Sequence, residues 1–273
     1  MERNDVTNIR NAASLLRGFS SRTRIFAPLL LAPLLAAAGA VGSIQNVWAE
    51  EEVLLDEDSE EWEADSSGYE SPDGVWEVVH PGHGEAEVDD GEMQLRPELD
   101  DNDRHSTLVT AREVDWEGIH GEMEVRLDEQ SDDPENWDSF WAMLAYVDQT
   151  THISLLIKTD DGGWMVSKRD HDHEGEDLHE VIAKGDEIPE AEEGHWYEVE
   201  WWIEPTDDGE NLDIKVVVDG EELVDQEDDA SWERDGDEGE GTSGYFVEAD
   251  KTFGAYSEKS YTSWRNISVE SIG

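Results

Sequence analysis

Carboxylates and imidazoles alternate in one short stretch, "WMVSKRDHDHEGEDL" at 164–178. Asp170, Asp172 and Glu174, followed by Gly175, begin like a calcium loop, in which alternate oxygen ligands surround a hard cation. The twelfth position is Val181, where such a loop needs a bidentate Glu. His171, His173 and His179 offer nitrogen ligands suited to a transition metal, but alternate residues of an extended strand face opposite ways, so imidazoles and acids diverge. The stretch reads first as a solvated hairpin tip. Its candidate metal ligands are Asp170, Asp172 and Glu174, with calcium as the expected cation. "ERDGDEGEG" at 233–241 is a weaker cation candidate, because Asp235 and Asp237 alternate with no further ligand register.

Paired carboxylates 5 to 9 Å apart would do glycosidic chemistry. Glu87, Asp89 and Glu92 match the E-x-D-x-x-E spacing of family-sixteen-like glycanases. The intervening Asp90-Gly91 predicts a hairpin turn, which parts the three acids, and in a chain this acidic a chance match is expected. No catalytic residue is assigned. The aromatic residues give a different chemistry: a flat ring beside acids stacks on a sugar face while the acids accept hydroxyl protons. Trp202 and Glu200 share one side of their segment and come first, Tyr146 second and Trp141 after it. Pleat counting puts Trp141 and Tyr146 on opposite faces of "FWAMLAYV", so at most one of them faces a common groove.

Strand alternation positions these residues. Met123, Val125 and Leu127 fall on one face of "GEMEVRL", and Leu212, Ile214, Val216 and Val218 on one face of "LDIKVVVDG". In "WYEVEWWIE", Tyr197, Val199, Trp201 and Ile203 alternate with Trp196, Glu198, Glu200, Trp202 and Glu204. Turn signals separate the runs: "DGG" at 161–163, "TDDGEN" at 206–211, "VDGEE" at 218–222 and "DGDEGEG" at 235–241. Helical periodicity is poor. Many short strands joined by tight turns indicate an antiparallel sandwich, with a closed barrel as the competing architecture. No linker or long repeat interrupts residues 50–273, which read as one domain.

The chain has 273 residues, no cysteine and a formal charge of −54 from 72 acidic and 18 basic residues. Disulfides, thiol catalysis and Cys-based zinc sites are excluded. The charge balance argues against nucleic acid as a partner and against anionic membrane surfaces, which both favour a basic face. The 12 Trp, 6 Tyr and 5 Phe in strand-like runs argue against disorder. Self-repulsion at this charge destabilises a compact state in dilute buffer, whereas molar salt shortens the Debye length to about 3 Å. The expectation is a salt-adapted fold with an acidic skin.

The first 49 residues differ in kind. Arg10, Arg17, Arg22 and Arg24 precede the uncharged run "IFAPLLLAPLLAAAGAVG" at 25–42, and Val47 and Ala49 stand in the small-residue spacing of a cleavage site. Residues 1–49 read as an export signal helix cut after Ala49, leaving no stable membrane span; a retained anchor is the alternative. "NIS" at Asn266–Ser268 matches a glycosylation acceptor but falls in a strand-like run. No phosphate loop, dinucleotide fingerprint or nucleophile elbow occurs.

The order of "DGVWEVVHPGHGEAEVDDGEMQLRP", "WAMLAYVDQTTHISLLIKTDDGGWMVSKRD", "GHWYEVEWWIE", "IKVVVDGEELVDQED", "SGYFVEA" and "SWRNISVESI" resembles the concanavalin A-like jelly-roll superfamily, in particular its laminin-G-like and 3-keto-glycoside-hydrolase-like domains. The resemblance covers most of 53–273. It implies an all-β sandwich of two curved antiparallel sheets, with a concave sheet lining a glycan groove. The combined expectation is an exported or cell-surface domain that binds a polysaccharide or surface glycoconjugate without catalysis of its own, supported by calcium. The alternatives are a glycoside hydrolase or polysaccharide lyase in the same groove, and a protein-binding adhesion module of the cell envelope.

Overall fold

The structure is a computed structural model and describes residues 51–272 apart from 100–105, 112–117, 132–134, 136, 149–150, 160–162, 171–177, 189–190, 207–210, 229–230, 235–236 and 241–250. The expected signal helix lies outside the described residues. Among the described residues no helix is long and apolar enough to cross a membrane.

The chain forms a jelly-roll sandwich of two antiparallel sheets. In chain order the strands are β1 (Glu51–Leu55), β2 (Trp62–Ala64), β3 (Tyr69–Glu70), β4 (Trp76–His80), β5 (Glu85–Asp89), β6 (Glu92–Arg96), β7 (Ser106–Ala111), β8 (Gly118–Gln130), β9 (Phe140–Asp148) and β10 (Thr151–Ile157). They continue as β11 (Trp164–Asp170), β12 (Leu178–Gly185), β13 (Trp196–Pro205), β14 (Leu212–Val218), β15 (Glu221–Asp228), β16 (Ser231–Arg234), β17 (Asp237–Glu240), β18 (Thr252–Glu258) and β19 (Ser260–Ile272). The nine-stranded sheet runs β15-β14-β13-β8-β19-β6-β5-β2, with β1 also on β19. The eight-stranded sheet runs β12-β11-β10-β9-β18-β7-β4-β3, and β16 pairs with β17 apart from both.

The alternation read from the sequence decides which side chains meet between the sheets. Met123, Val125 and Leu127 of β8, Tyr197, Val199, Trp201 and Ile203 of β13, and Leu212, Ile214, Val216 and Val218 of β14 are all buried. Burying a large apolar side chain stabilises by about 1.5–3 kcal/mol, which explains why these faces set the register. Aromatic rings join the layers: Phe253 of β18 packs at 5.5 Å from Trp201 and 6.1 Å from Trp264 of β19, and Phe140 of β9 at 5.8 Å from Tyr197. Gly121 of β8 stands directly opposite Trp201 in the ladder. A Cβ there would lie 2.2 Å from the Trp201 indole, so only glycine lets the ring lie across the strand.

The turns follow their composition. Asp90 and Gly91 both have positive φ (51° and 74°) between β5 and β6, as do Asp219 and Gly220 (52° and 81°) between β14 and β15. Two such residues in succession match the right-handed twist of the flanking strands. Glu87 and Asp89 therefore lie on β5 and Glu92 on β6, across the turn the sequence predicts.

Candidate functional site

A groove opens on the outer face of the eight-stranded sheet, and strand β9 supplies its centre. Simple pleating would separate Trp141 from Tyr146, but both line this groove, which corrects the expectation that at most one would. The reason is an extra residue. Along β10 the partners step from Ile153↔Ala145 to Ser154↔Met143, and along β18 from Thr252↔Tyr146 to Gly254↔Met143, so β9 bulges at Leu144 and Ala145. Both bulge residues enter the core, and the phase of the pleat inverts between Met143 and Tyr146. A bulge leaves backbone groups outside the ladder. The buried Trp201 Nε1–H donates to the Leu144 carbonyl at 3.0 Å, tying the bulge to the opposite sheet.

Around β9 the groove collects His80 from β4, Ser106 and Leu108 from β7, Tyr256 and Glu258 from β18, Met143, His152 of β10 and Arg169 of β11, enclosing about 340 Å³. Register places them: His80 opposes Leu108, Leu108 opposes Tyr256, and Tyr256 opposes Trp141. In the next rows Tyr146 opposes His152, and His152 opposes Arg169. Gly254 contributes no side chain to the floor between Thr252 and Tyr256; a Cβ there would come within 3.1 Å of Met143 Cβ. The rings hold one another at angles. Trp141 meets Tyr256 edge-on at 6.3 Å, His80 meets Tyr256 edge-on at 6.4 Å, and Tyr146 lies nearly parallel to His152 at 6.4 Å.

His80 Nδ1–H donates to the Ser106 carbonyl at 2.6 Å, which fixes the tautomer and leaves Nε2 as the ring acceptor. Burial lowers the His80 pKa, against the opposing effect of that hydrogen bond, so the ring is neutral near pH 7. Burial pushes the Tyr146 hydroxyl up to about 12, helped by the charges of Asp148 and Glu77. Burial, then the Glu258 charge, holds the Tyr256 hydroxyl well above the ordinary tyrosine value, and Tyr256 Oη–H donates to Glu258 Oε2 at 3.1 Å. Glu258 is the one carboxylate among the described residues that line the groove. A pair of facing acids for glycoside hydrolysis is not assembled from them.

Trp202 and Glu200 lie elsewhere, on the outer face of the nine-stranded sheet, and are not brought together with Trp141 and Tyr146. Trp202 stacks on His120 (4.5 Å, 7°), and Lys215 Nζ lies 5.2 Å from its ring centre. His120 bonds through Nδ1 to Glu270 at 2.6 Å and through Nε2 to Glu200 at 3.2 Å. His120, Glu122 and Glu200 present ligand atoms within 4.8 Å of one another. An imidazole is a poor ligand for calcium, and both nitrogens of this one already meet carboxylates, so calcium does not fit these three residues. The same face carries Trp196 with Arg126 (4.4 Å) and Arg265 (3.9 Å) over its ring, and these arginines bond Asp128 and Glu124. It is a lattice of ion pairs covering the sheet.

Of the candidate metal ligands at 170–174, Asp170 ends β11, while Asp172 and Glu174 lie outside the described residues. The segment does connect two antiparallel neighbours, since Asp170 opposes Leu178. His80, His152, Arg169 and Tyr256 were missed in the sequence because they have no local spacing in common. One signal was present: Arg169 is among only 18 basic residues.

No family model matches the chain, and no curated protein matches it. Among solved structures it is similar to the carbohydrate-binding module CBM66 from Bacillus subtilis (11% identity, TM-score 0.42, covering 80% of this chain and 97% of that one). It is also similar to the VIP36 exoplasmic/lumenal domain in its Ca2+/Man3GlcNAc-bound form (9%, TM-score 0.45, 75% and 87%). A third is alginate lyase Aly36B (9%, TM-score 0.43, 68% and 83%).

Proposed function

We propose that the protein binds carbohydrate in the groove of the eight-stranded sheet and does not cleave it. One observation carries the reading: the β9 bulge turns Trp141 and Tyr146 onto the same face, where with Tyr256 they form an aromatic wall around about 340 Å³. Aromatic faces flanked by a few fixed polar groups suit sugar rings, whose C–H faces stack while their hydroxyls hydrogen-bond. The volume admits a few sugar units, with longer chains continuing past the ends.

The setting proposed for this activity is outside the cytoplasm and in strong salt. It rests on the arginine-led apolar segment before Ala49 and on the charge of −54. The calcium support expected from the sequence is proposed for Asp170, Asp172 and Glu174 rather than for His120, Glu122 and Glu200.

A glycan array and a product-release assay on the purified protein in about 2 M salt, with and without calcium, test the reading. Binding without released sugar is expected. Release of reducing or unsaturated products would make the protein an enzyme, and silence in both assays would favour a protein-binding adhesion role.

A further inference from the structure

We propose that the groove selects an anionic polysaccharide, one bearing carboxylate or sulfate groups, with Arg169 as the partner of the acidic group. This rests on the carbohydrate-binding reading and adds the class of ligand.

Carboxylates are scarce among the described residues of the groove. The chain has four acidic residues for every basic one, yet among the described residues the groove lining holds Arg169, His152 and the neutral His80, with Glu258 as its one carboxylate. Glu77 and Asp148 act on the Tyr146 hydroxyl from nearby but are not part of the lining. A site for neutral sugars wants carboxylate acceptors for their hydroxyl protons, and this protein has acids to spare. A site for an anion must exclude them, because like charges brought together in a groove oppose binding. With one carboxylate among its described residues, the lining is nearer the second composition.

The position of Arg169 agrees. It stands opposite His152 on β11, three strand spacings from β18, or about 14 Å. It nevertheless lines the same groove as Tyr256, and its charge acts on the Tyr256 hydroxyl across the floor that Met143 and Gly254 share. There it meets a ligand from one side while the Tyr146 and Tyr256 rings meet it from the others. A guanidinium presents a planar fork of donors that matches carboxylate or sulfate oxygens.

The net charge of the protein does not forbid a polyanion. At molar ionic strength a Debye length of about 3 Å confines electrostatics to direct neighbours, so groove residues decide and the acidic skin does not. The same screening makes contact pairing the main electrostatic source of selectivity.

The test is a set of binding isotherms in about 2 M NaCl. The probes are polygalacturonate, hyaluronan and dextran sulfate, each beside its neutral counterpart: the two carboxyl-reduced polymers and dextran. The expected result is that at least one anionic probe binds about tenfold or more tighter than its counterpart, the carboxylated and sulfated arms identifying the group. Arg169→Gln should then weaken binding about ten- to hundredfold, Arg169→Lys less, and Glu258→Gln should strengthen it a fewfold. Should Arg169→Gln fail to fold, Glu258→Gln decides: unchanged or weaker anionic binding overturns the proposal. Equal affinity for the neutral counterparts, or glycan binding confined to neutral sugars, overturns it and leaves the carbohydrate reading standing. No glycan binding at all removes both.

Discussion

Replacing Trp201 by Phe tests the link between core and groove. Trp201 is fully buried, and its indole N–H donates at 3.0 Å to the carbonyl of Leu144, within the β9 bulge. Phenylalanine keeps an aromatic body and removes the donor. A buried carbonyl left without its partner costs about 1–3 kcal/mol. The smaller ring leaves a space that adds about 1–2 kcal/mol, so the loss should be about 2–5 kcal/mol. For a domain of this size that lowers the melting temperature by roughly 5–20 °C. Urea unfolding in constant high salt is the right assay, because guanidinium chloride would change the ionic strength it is meant to hold fixed. A relaxed bulge should also let Trp141 and Tyr146 lose their common face, lowering glycan affinity without any change in a groove residue. Melting within about 2 °C of the wild type, with affinity intact, would refute the role given to the bulge.

Other outcomes follow from the same geometry. Gly121→Ala sets a methyl group 2.2 Å from the Trp201 ring and should destabilise by about 1–3 kcal/mol in the same urea assay. Lys168 Nζ meets Asp228 at 2.6 Å with both side chains nearly buried, so Lys168→Met should cost about 3–5 kcal/mol, while adding Asp228→Leu should restore most of it. The Tyr146 and Tyr256 hydroxyls, both raised by burial, should ionise well above pH 10 when followed by tyrosinate absorbance. Their contribution to stability is present below pH 10, their unfolded value, and is lost as pH rises toward 12 and beyond. His80 has the opposite sense: its lowered pKa contributes stability above its ordinary value of 6.5 that is lost as pH falls below it, which an imidazole NMR titration would follow.

The fold was legible where one face of a strand is apolar. In β8, β13 and β14 the alternation names the buried residues one by one, and Asp-Gly pairs mark the hairpins at 90–91 and 219–220. The site was not, for three physical reasons. A bulge has no compositional mark when its residues are Leu144 and Ala145, ordinary core residues, so counting along "FWAMLAYV" separates two rings that the structure unites. The groove draws on β4, β7, β9, β10, β11 and β18, which come together only through the order of strands in the sheet. Finally, each sheet has a polar outer face carrying tryptophan and charge. Trp202 beside Glu200 looks locally like a sugar platform, but in the folded protein its ring is stacked on His120 within a network of ion pairs. Local sequence does not say which of two such faces is a groove.

The most direct measurement compares two single substitutions for affinity toward the best glycan found on the array, in the same high salt. Tyr256→Ala removes the ring that meets both Trp141 and His80, and Trp202→Ala removes the ring on the opposite outer face. Loss of about tenfold or more in Tyr256→Ala, with Trp202→Ala unchanged, is the expected result. Loss in Trp202→Ala with Tyr256→Ala unchanged would place the sugar on the nine-stranded sheet and contradict the account.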